Sequence, residues 1–430
     1  MNYQIKNTMR KKIKFLRKLI PIMVILITSQ ACTEDLLDQL PRDEISSGQF
    51  WQSTDDAETA TYGVYNAARL LFRFDYLYDG LSPYGRYRNL RASFENIDDE
   101  TGERDPVGDF LAGGGVGDEF DMTWKLCYRI INRVNYVLSY LDVMIEEEES
   151  PITKKELRRI RGENYFFRAL AYFRLITLWG DVPHYEHILD GNDDAYTLSQ
   201  SPIEMVRDEI LEDLDSACIV LPLPSEIPDG DRGRASQAAA YGFRGKVKLY
   251  WASWKKYGWP EIEGFTEDQA EALEYFEAAA EDFHRVINDF GLDLYQGGDP
   301  GTYGDNDNFD AADLPNYWHL FQEPAEYTSE VIFSVQFAGP DLEQGNSLQR
   351  GYGNRQTING QVYYAPTHHL VNRYQLLETG DFAPPVILEK DPELENGAIN
   401  PETYERDTAD LDVRPLRDWR MKATIMWDGQ

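Results

Sequence analysis

Two loop-like stretches of the 430-residue sequence combine aromatic rings with charged and amide side chains. The first is SPYGRYRNLR at 82–91, and the second is Tyr303 together with the run NYW at 316–318. Sugar rings stack on Tyr and Trp while their hydroxyl groups bind Asn and Arg, so this mixture favours a glycan-binding face. The alternative is that these rings pack onto helices as core. The candidate ligand-binding residues are Tyr84, Arg86, Tyr87, Asn89, Arg91, Tyr303, Asn316, Tyr317 and Trp318.

The sequence carries no recognisable catalytic pattern. It has no G-x-S-x-G, no Walker phosphate loop and no H-E-x-x-H. The run GGGVG at 113–117 lacks the strand and helix of a phosphate loop, which favours a flexible loop. The 75 acidic residues place carboxylates near each other throughout the chain, so spacing cannot identify a glycosidase pair. We therefore expect a binding protein that is not an enzyme.

Histidines and acidic loops are the candidate metal ligands. His184 and His187 have i, i+3 spacing but no evident third ligand, which favours surface histidines over a metal site. The run DNDNFD at 305–310 resembles a calcium loop but lacks its central Gly and its final Glu. We expect no cofactor and no metal, with structural calcium at 305–310 as the alternative. His368 and His369 are interpreted as structural.

Charge and the N-terminal segment restrict the partners and the location. The formal net charge of −33 disfavours nucleic acid and anionic lipid surfaces, because both bind clustered Lys and Arg. Basic residues precede a nine-residue apolar run at 19–27, which is too short to span a bilayer. Small residues then lead to Cys32, and this order predicts a signal peptide followed by a lipidated cysteine. The alternative is an ordinary signal peptide with a chance cysteine.

Helical periodicity dominates the chain up to about residue 291. Ser201, Ser236 and Thr266 are predicted to cap three of the helices, and Gly180 is predicted to end another. The first helix is expected at 54–71 and the second at 122–142. Further helices are expected to start near 161, 201, 237 and 267.

The run YFFRALAYFRLITLW at 165–179 is apolar on almost every face, unlike a surface helix with one apolar stripe. A helix buried between neighbours has this pattern, so we expect stacked helix pairs as in tetratricopeptide-like arrays. Cys127 and Cys218 lie in periodic segments and are predicted to be small buried hydrophobes, with a disulfide as the alternative.

The chain becomes loop-rich after residue 292. The sequence predicts short strands at 330–337 (EVIFSVQF) and 423–427 (ATIMW), and a helix at 366–380.

Eight stretches in order resemble the SusD/RagB family of outer-membrane lipoproteins. The most specific is RGENYFFRALAYFRLITLWGDVP at 161–183. The others are CTEDLLDQLP, FWQSTDDAETATYGVYNA, WKLCYRIINRVNYVL, VRDEILEDLDSACIVLP, GRASQAAAYGFRGKVKLYWASW, EVIFSVQF and DVRPLRDWRMKATIMWDG.

The resemblance implies a mainly α fold: a tetratricopeptide-like helical-repeat array with a loop-rich ligand face and a few short strands. Similar family members continue beyond the strand that ends this chain, so the chain is expected to be C-terminally truncated. The expected organisation is a lipoprotein signal peptide at 1–31, a lipid-anchored tether at 32–50 and one SusD-like domain at 51–430. Within that domain, 51–291 holds most of the helical array and 292–430 is the variable, loop-rich part.

The resemblance also implies a function. Such a protein is a cell-surface nutrient-binding lipoprotein that passes oligosaccharides or peptides to a SusC-like TonB-dependent outer-membrane transporter. A lipid on Cys32 would hold it in the outer membrane, facing outwards. The loop aromatics favour a glycan over a peptide ligand. A surface glycoside hydrolase and a structural or adhesive surface lipoprotein are the alternatives.

Overall fold

The computed structural model describes a mainly helical protein. The chain separates into two units, Met1–Asp56 and Ala57–Gln430, and the first is described only at 50–56. The described residues are 50–73, 78, 84–87, 117–189, 197–296, 316–322, 327–337, 364–376, 379–382, 418 and 420.

The described elements confirm the predicted mainly α fold class. In chain order they are α1 (Thr54–Phe72), β1 (Gly85–Tyr87), α2 (Gly117–Glu147), α3 (Pro151–Trp179), β2 (Val182–Pro183), β3 (Gln200–Ser201), α4 (Ile203–Val220), α5 (Gln237–Tyr257), α6 (Gln269–Asp289), α7 (Asn316–Leu320), β4 (Tyr364–Pro366) and α8 (His368–Val371). The long helices α2 to α6 pack successively, each against its neighbours in sequence, which is the arrangement of a helical-repeat array.

The helix α3 is buried on most of its circumference because other elements surround it. The Phe166 ring lies 5.7 Å from Phe243 of α5 and 5.1 Å from Phe333, measured between centroids. The neighbouring Phe167 ring packs edge-on against Tyr65 of α1 at 4.5 Å. Surrounding contacts of this kind explain why the segment 165–179 lacks a polar face.

The N-termini of the helices differ from several predictions. α3 begins at Pro151, ten residues earlier than expected, because Ser150 Oγ accepts a hydrogen bond from the Thr153 amide. The predicted cap Ser236 is confirmed, since its Oγ accepts from the Ala239 amide at 3.2 Å. The prediction of a Thr266 cap is wrong: Asp268 caps α6 instead, accepting from two backbone amides at 2.9 Å.

The capping box predicted at Ser201 does not form. Ser201 lies in β3, paired with Val182 of β2. This pairing brings Asp181 to the start of α4, where its Oδ1 accepts the Ile203 amide at 2.8 Å. A carboxylate from the end of α3 therefore performs the capping role that the sequence assigned to Ser201.

A buried ion pair joins α3 to α4. Arg168 donates two hydrogen bonds to the Asp213 carboxylate, each at 2.7 Å, and both side chains are 7% exposed. Arg168 Nη1 also donates to Oδ1 of Asn135 on α2 at 3.1 Å. Arg168 thus connects three helices of the array, α2, α3 and α4.

A second buried network joins α1, α3 and the loop before α5. Arg234 donates to both carboxylate oxygens of Glu163, at 2.9 and 3.2 Å, and Glu163 is 1% exposed. Arg159 pairs with Glu163 and also, at 3.0 Å, with Glu58 of α1. Burial raises the pKa of Glu163, while the two guanidinium groups favour its charged form. The network holds these elements in one register.

Beyond α6, two predictions of secondary structure are wrong. The segment 330–337 is described in full, and it forms no strand. The helix expected at 366–380 is only the single turn α8, and Gln375 instead forms a bridge with Phe382. The strand predicted at 423–427 lies outside the described residues.

The cysteine prediction is confirmed: Cys127 and Cys218 are free thiols and both are buried. Gly180, predicted to end α3, has φ 69°, a left-handed conformation that glycine adopts without strain.

Among the helices that the structure describes, none is long and apolar enough to cross a membrane.

Candidate ligand-binding site

The first predicted loop stretch pairs with the segment around residue 365. β1 and β4 are antiparallel neighbours, with Gly85 opposite Pro366 and Tyr87 opposite Tyr364. The amide of Thr367 extends the pairing by donating to the Tyr84 carbonyl oxygen at 3.0 Å. A part of the chain that sequence periodicity assigned to a loop is therefore a short, anchored strand.

This pairing places Tyr84 against α8. Its ring stacks on the imidazole of His369 with centroids 5.6 Å apart and planes 27° from parallel. His369 Nε2 in turn lies 3.4 Å from Nη2 of Arg373. Tyr84 remains 39% exposed, so part of its ring is available to a ligand.

A small cleft of about 210 Å³ lies next to α8. One wall is Tyr317 of α7, and another is the turn after α8. The backbone amide of Asp418 donates to the Gln375 carbonyl oxygen at 2.8 Å, which links Asp418, distant in sequence, to this turn. The described residues that line the cleft are Tyr317, Leu370, Arg373, Tyr374, Gln375, Asp418 and Arg420.

The cleft contains an ion pair between Asp418 and Arg420. Arg420 Nε lies 3.0 and 2.9 Å from the two Asp418 carboxylate oxygens. The hydrogen bonds from Arg420 lower the pKa of Asp418, and the same contact raises the pKa of Arg420. Both groups are therefore charged at neutral pH and can hydrogen-bond to hydroxyl groups of a ligand.

The arrangement suits binding. Two tyrosine rings, from Tyr317 and Tyr374, lie beside fixed donors and acceptors in a recess of limited size. Aromatic planes with a few directional polar groups are typical of small-molecule and sugar sites.

One residue from each predicted loop stretch lies beside α8. Tyr84 stacks on His369, while Tyr317 shares the cleft with Leu370 of the same helical turn. Trp318 is half-buried, packs edge-on against His319 at 5.0 Å and is not among the cleft-lining residues described. Among the other predicted residues, Arg86 and Tyr87 occupy positions in β1, Asn316 begins α7, and Asn89, Arg91, Tyr303 and Cys32 lie outside the described residues.

The charged residues of the cleft are not among the residues predicted from sequence. Arg373 lies in the segment predicted as a helix at 366–380, and Asp418 and Arg420 lie just before the strand predicted at 423–427. The signal that could have found them is the run RDWR at 417–420, where opposite charges two residues apart precede a predicted strand.

A larger cleft of about 670 Å³ lies between α1 and the loop at 230–234. It exposes the edge of the buried Arg234 network, together with Tyr62 and Phe333. Its lining includes none of the predicted ligand-binding residues, so size alone does not make it the candidate site.

The candidate metal ligands do not form a cluster in the part of the chain that the structure describes. No group of three or more His, Cys, Asp or Glu residues there is placed to hold an ion. His184 packs on the Tyr172 ring at 4.6 Å, and burial lowers its pKa, whereas His187 is exposed. The proposed calcium loop at 305–310 lies outside the described residues.

The chain matches a protein-family model described as "Starch-binding associating with outer membrane" over residues 112–249. It is 25% identical over 323 residues to the SusD-like protein P25 of Formosa agariphila, covering 74% of this chain and 51% of that one. These matches make the chain similar to the SusD/RagB family. The matched region runs from the start of α2 into α5, which is the helical array that carries the buried ion pairs.

Solved structures share the fold of this SusD-like chain. A SusD-like protein from Bacteroides fragilis superposes with a TM-score of 0.58 at 19% identity, covering 90% of this chain and 62% of that one. A SusD homolog from Bacteroides thetaiotaomicron gives a TM-score of 0.55 at 18% identity, with coverages of 90% and 70%. The chain spans about half the length of the curated relative described above.

Proposed function

We propose that this SusD-like chain is a surface nutrient-binding lipoprotein that captures oligosaccharides and passes them to a TonB-dependent outer-membrane transporter. The family description, with its starch binding and outer-membrane association, supports the ligand class and the location. The observation that carries the ligand proposal is the cleft in which Tyr317 lies beside the Asp418–Arg420 pair. Peptides are the alternative ligand.

In this proposal the helical array and the ligand face have different roles. The helices α2 to α6 pack successively and are joined by buried ion pairs, and we propose that this array contacts the transporter. The short strands β1 and β4 fix the ligand face around α8. Cys32 carries the lipid in this proposal, and residues 33–50 are the tether to the membrane.

Binding rather than catalysis is the role that the cleft supports. The acidic group described in its lining is Asp418, and that carboxylate is held by Arg420. A glycosidase needs a second carboxyl group, one of the two serving as a proton donor. A surface glycoside hydrolase would convert the bound oligosaccharide, so incubation followed by product analysis distinguishes the two classes.

The transport role is tested by purification from membranes of the organism that encodes the protein. The lipidated chain serves as bait, and the Cys32→Ser variant, which cannot be lipidated, serves as the matched control. We expect a large outer-membrane barrel to be recovered in near-equal amount with the lipidated chain. Recovery of no barrel would contradict the transport role and favour a free-standing binder or an adhesin.

A further inference from the structure

A separate cleft of about 590 Å³ lies between α2 and the segment that follows β2. Three aromatic residues form its walls. The rings of Tyr128 and Tyr185 are within 8° of parallel, with centroids 6.1 Å apart, and Trp124 lies 4.9 Å from Tyr128. The cleft shares no lining residue with the one at Tyr317.

Hydrogen bonds hold these rings in place. The Tyr128 hydroxyl donates to the Pro183 carbonyl oxygen at 2.8 Å, and the Tyr185 hydroxyl donates to Asn132 Oδ1 at 2.9 Å. Rings fixed in this way lose little conformational freedom when a ligand stacks on them, so more of the contact energy contributes to affinity.

Positive charge follows the same side of α2. Lys125, Arg129 and Arg133 line the cleft at successive i, i+4 positions, about 6 Å apart along the helix axis. No acidic residue is among the lining residues that the structure describes. The chain as a whole carries a formal charge of −33, so the charge along this row is opposite in sign to that of the whole chain.

The three cations differ in how far they are already engaged. Lys125 pairs with Asp121 at 2.5 Å in a contact whose members are both more than half exposed. Arg133 donates to the Gly63 carbonyl oxygen of α1. Arg129 is exposed and has no carboxylate of the described residues within ion-pair distance. Its guanidinium can therefore bind an external anion without breaking an ion pair to any of the described residues.

We propose that this cleft binds an acidic oligosaccharide, with a sugar ring on the half-buried Trp124 and Tyr128 and a carboxylate or sulfate group on Arg129. The buried Tyr185 ring supports Tyr128 from behind. The planar guanidinium forms paired hydrogen bonds with either anion. Such a site goes beyond the proposed function, because it adds a second ligand contact and a charge preference to a glycan-binding protein. The contact at Arg129 is exposed, so its strength falls as salt rises.

The test is calorimetric titration of the full chain with three oligosaccharides of equal length. They are a neutral galacto-oligosaccharide, an oligogalacturonate and a sulfated galacto-oligosaccharide. We expect an acidic ligand to bind at least tenfold more tightly than the neutral one, and Arg129→Gln to remove about tenfold of that affinity. Binding of only one acidic ligand would identify the anion, carboxylate or sulfate, that the cleft prefers.

The matched control is Arg158→Gln, which removes the same charge from an exposed position on α3. It should leave the affinity for the acidic ligands unchanged. Equal losses in Arg129→Gln and Arg158→Gln would overturn the proposal, since overall charge would then explain the binding. Equal affinity for neutral and acidic ligands, or no binding of either acidic ligand, would also overturn it.

Discussion

Asp181 accepts a hydrogen bond from the backbone amide of Ile203, 2.8 Å away, across 22 positions of sequence. Asp181 belongs to the Gly-Asp-Val-Pro run that ends α3, and Ile203 is the first residue of α4. Gly180 therefore ends α3 and the next residue, Asp181, caps α4, which gives the run a structural role. The β2–β3 pairing beside it keeps the two helix ends together.

Removing this cap should weaken the fold. We expect Asp181→Ala to lower the free energy of unfolding by about 1 kcal/mol, the usual cost of a lost N-cap. Asp181→Asn keeps an acceptor oxygen and should cost less. Urea unfolding of the three proteins measures the difference, and equal losses in both variants would show that hydrogen bonding to Ile203 contributes nothing.

The buried Asp213 makes stability depend on pH. Burial raises the pKa of Asp213 in the folded protein to about 6, from the ordinary value of 3.8. Between these values the folded protein holds a proton that the unfolded chain has released. The stabilisation from this group is therefore complete below about pH 4 and is lost as the pH rises through about 6.

Asp213→Asn removes this titration. We expect the free energy of unfolding of the unmodified chain, relative to the variant, to fall by at most about 3 kcal/mol between pH 4 and pH 7. Urea unfolding at several pH values measures this difference. A difference that stays constant, or rises with pH, is incompatible with a raised pKa for Asp213.

Two glycines on α5 should respond oppositely to alanine. A Cβ on Gly245 would lie 2.8 Å from the Phe283 ring of α6, whereas one on Gly242 would lie 3.7 Å from Val286. We expect Gly245→Ala to lower the free energy of unfolding by about 1–3 kcal/mol through overpacking. Gly242→Ala should raise it by up to about 1 kcal/mol, because alanine favours the helix. Thermal unfolding compares them, and equal shifts would show that α5 and α6 do not pack this closely.

The helices could be predicted from sequence because they repeat apolar residues at a helical period, but their ends depended on tertiary contacts. The dipeptide Ser-Pro occurs at 150–151 and again at 201–202. The first forms a cap, whereas Ser201 is drawn into a strand and Asp181 replaces it. The local sequence is nearly the same in both places. The different roles of the two serines therefore come from the pairing of Ser201 with the distant residue Val182.

The candidate site could be predicted only in part. Tyr84 and Tyr317 were recognised as exposed aromatic residues in polar loops, which is a local property of the sequence. Arg373 and Arg420 could not be, because a turn and a long-range hydrogen bond, from the Asp418 amide to Gln375, bring them to the cleft. Contacts between segments distant in sequence leave no periodic signal.

Trp318 belongs to the site predicted from sequence but is not among the residues that line the cleft. Trp318 is predicted from sequence to belong to the ligand face, so Trp318→Ala should weaken glycan binding without unfolding the protein. Calorimetric titration measures the affinity, and circular dichroism confirms the fold. Unchanged affinity would remove Trp318 from the site and leave the cleft at Tyr317 as its centre.

The most direct test of a glycan site at Tyr317 is calorimetric titration of the full chain with a panel of neutral oligosaccharides, repeated with the Tyr317→Ala variant. We predict saturable binding of at least one oligosaccharide, and a loss of about fivefold or more in the variant, since an aromatic stacking contact contributes about 1 kcal/mol. Tyr257→Ala is the control, because Tyr257 is 70% exposed at the end of α5. Its affinity should be unchanged. Binding that is equally strong in Tyr317→Ala, or the absence of binding across the panel, would contradict a glycan site in this cleft.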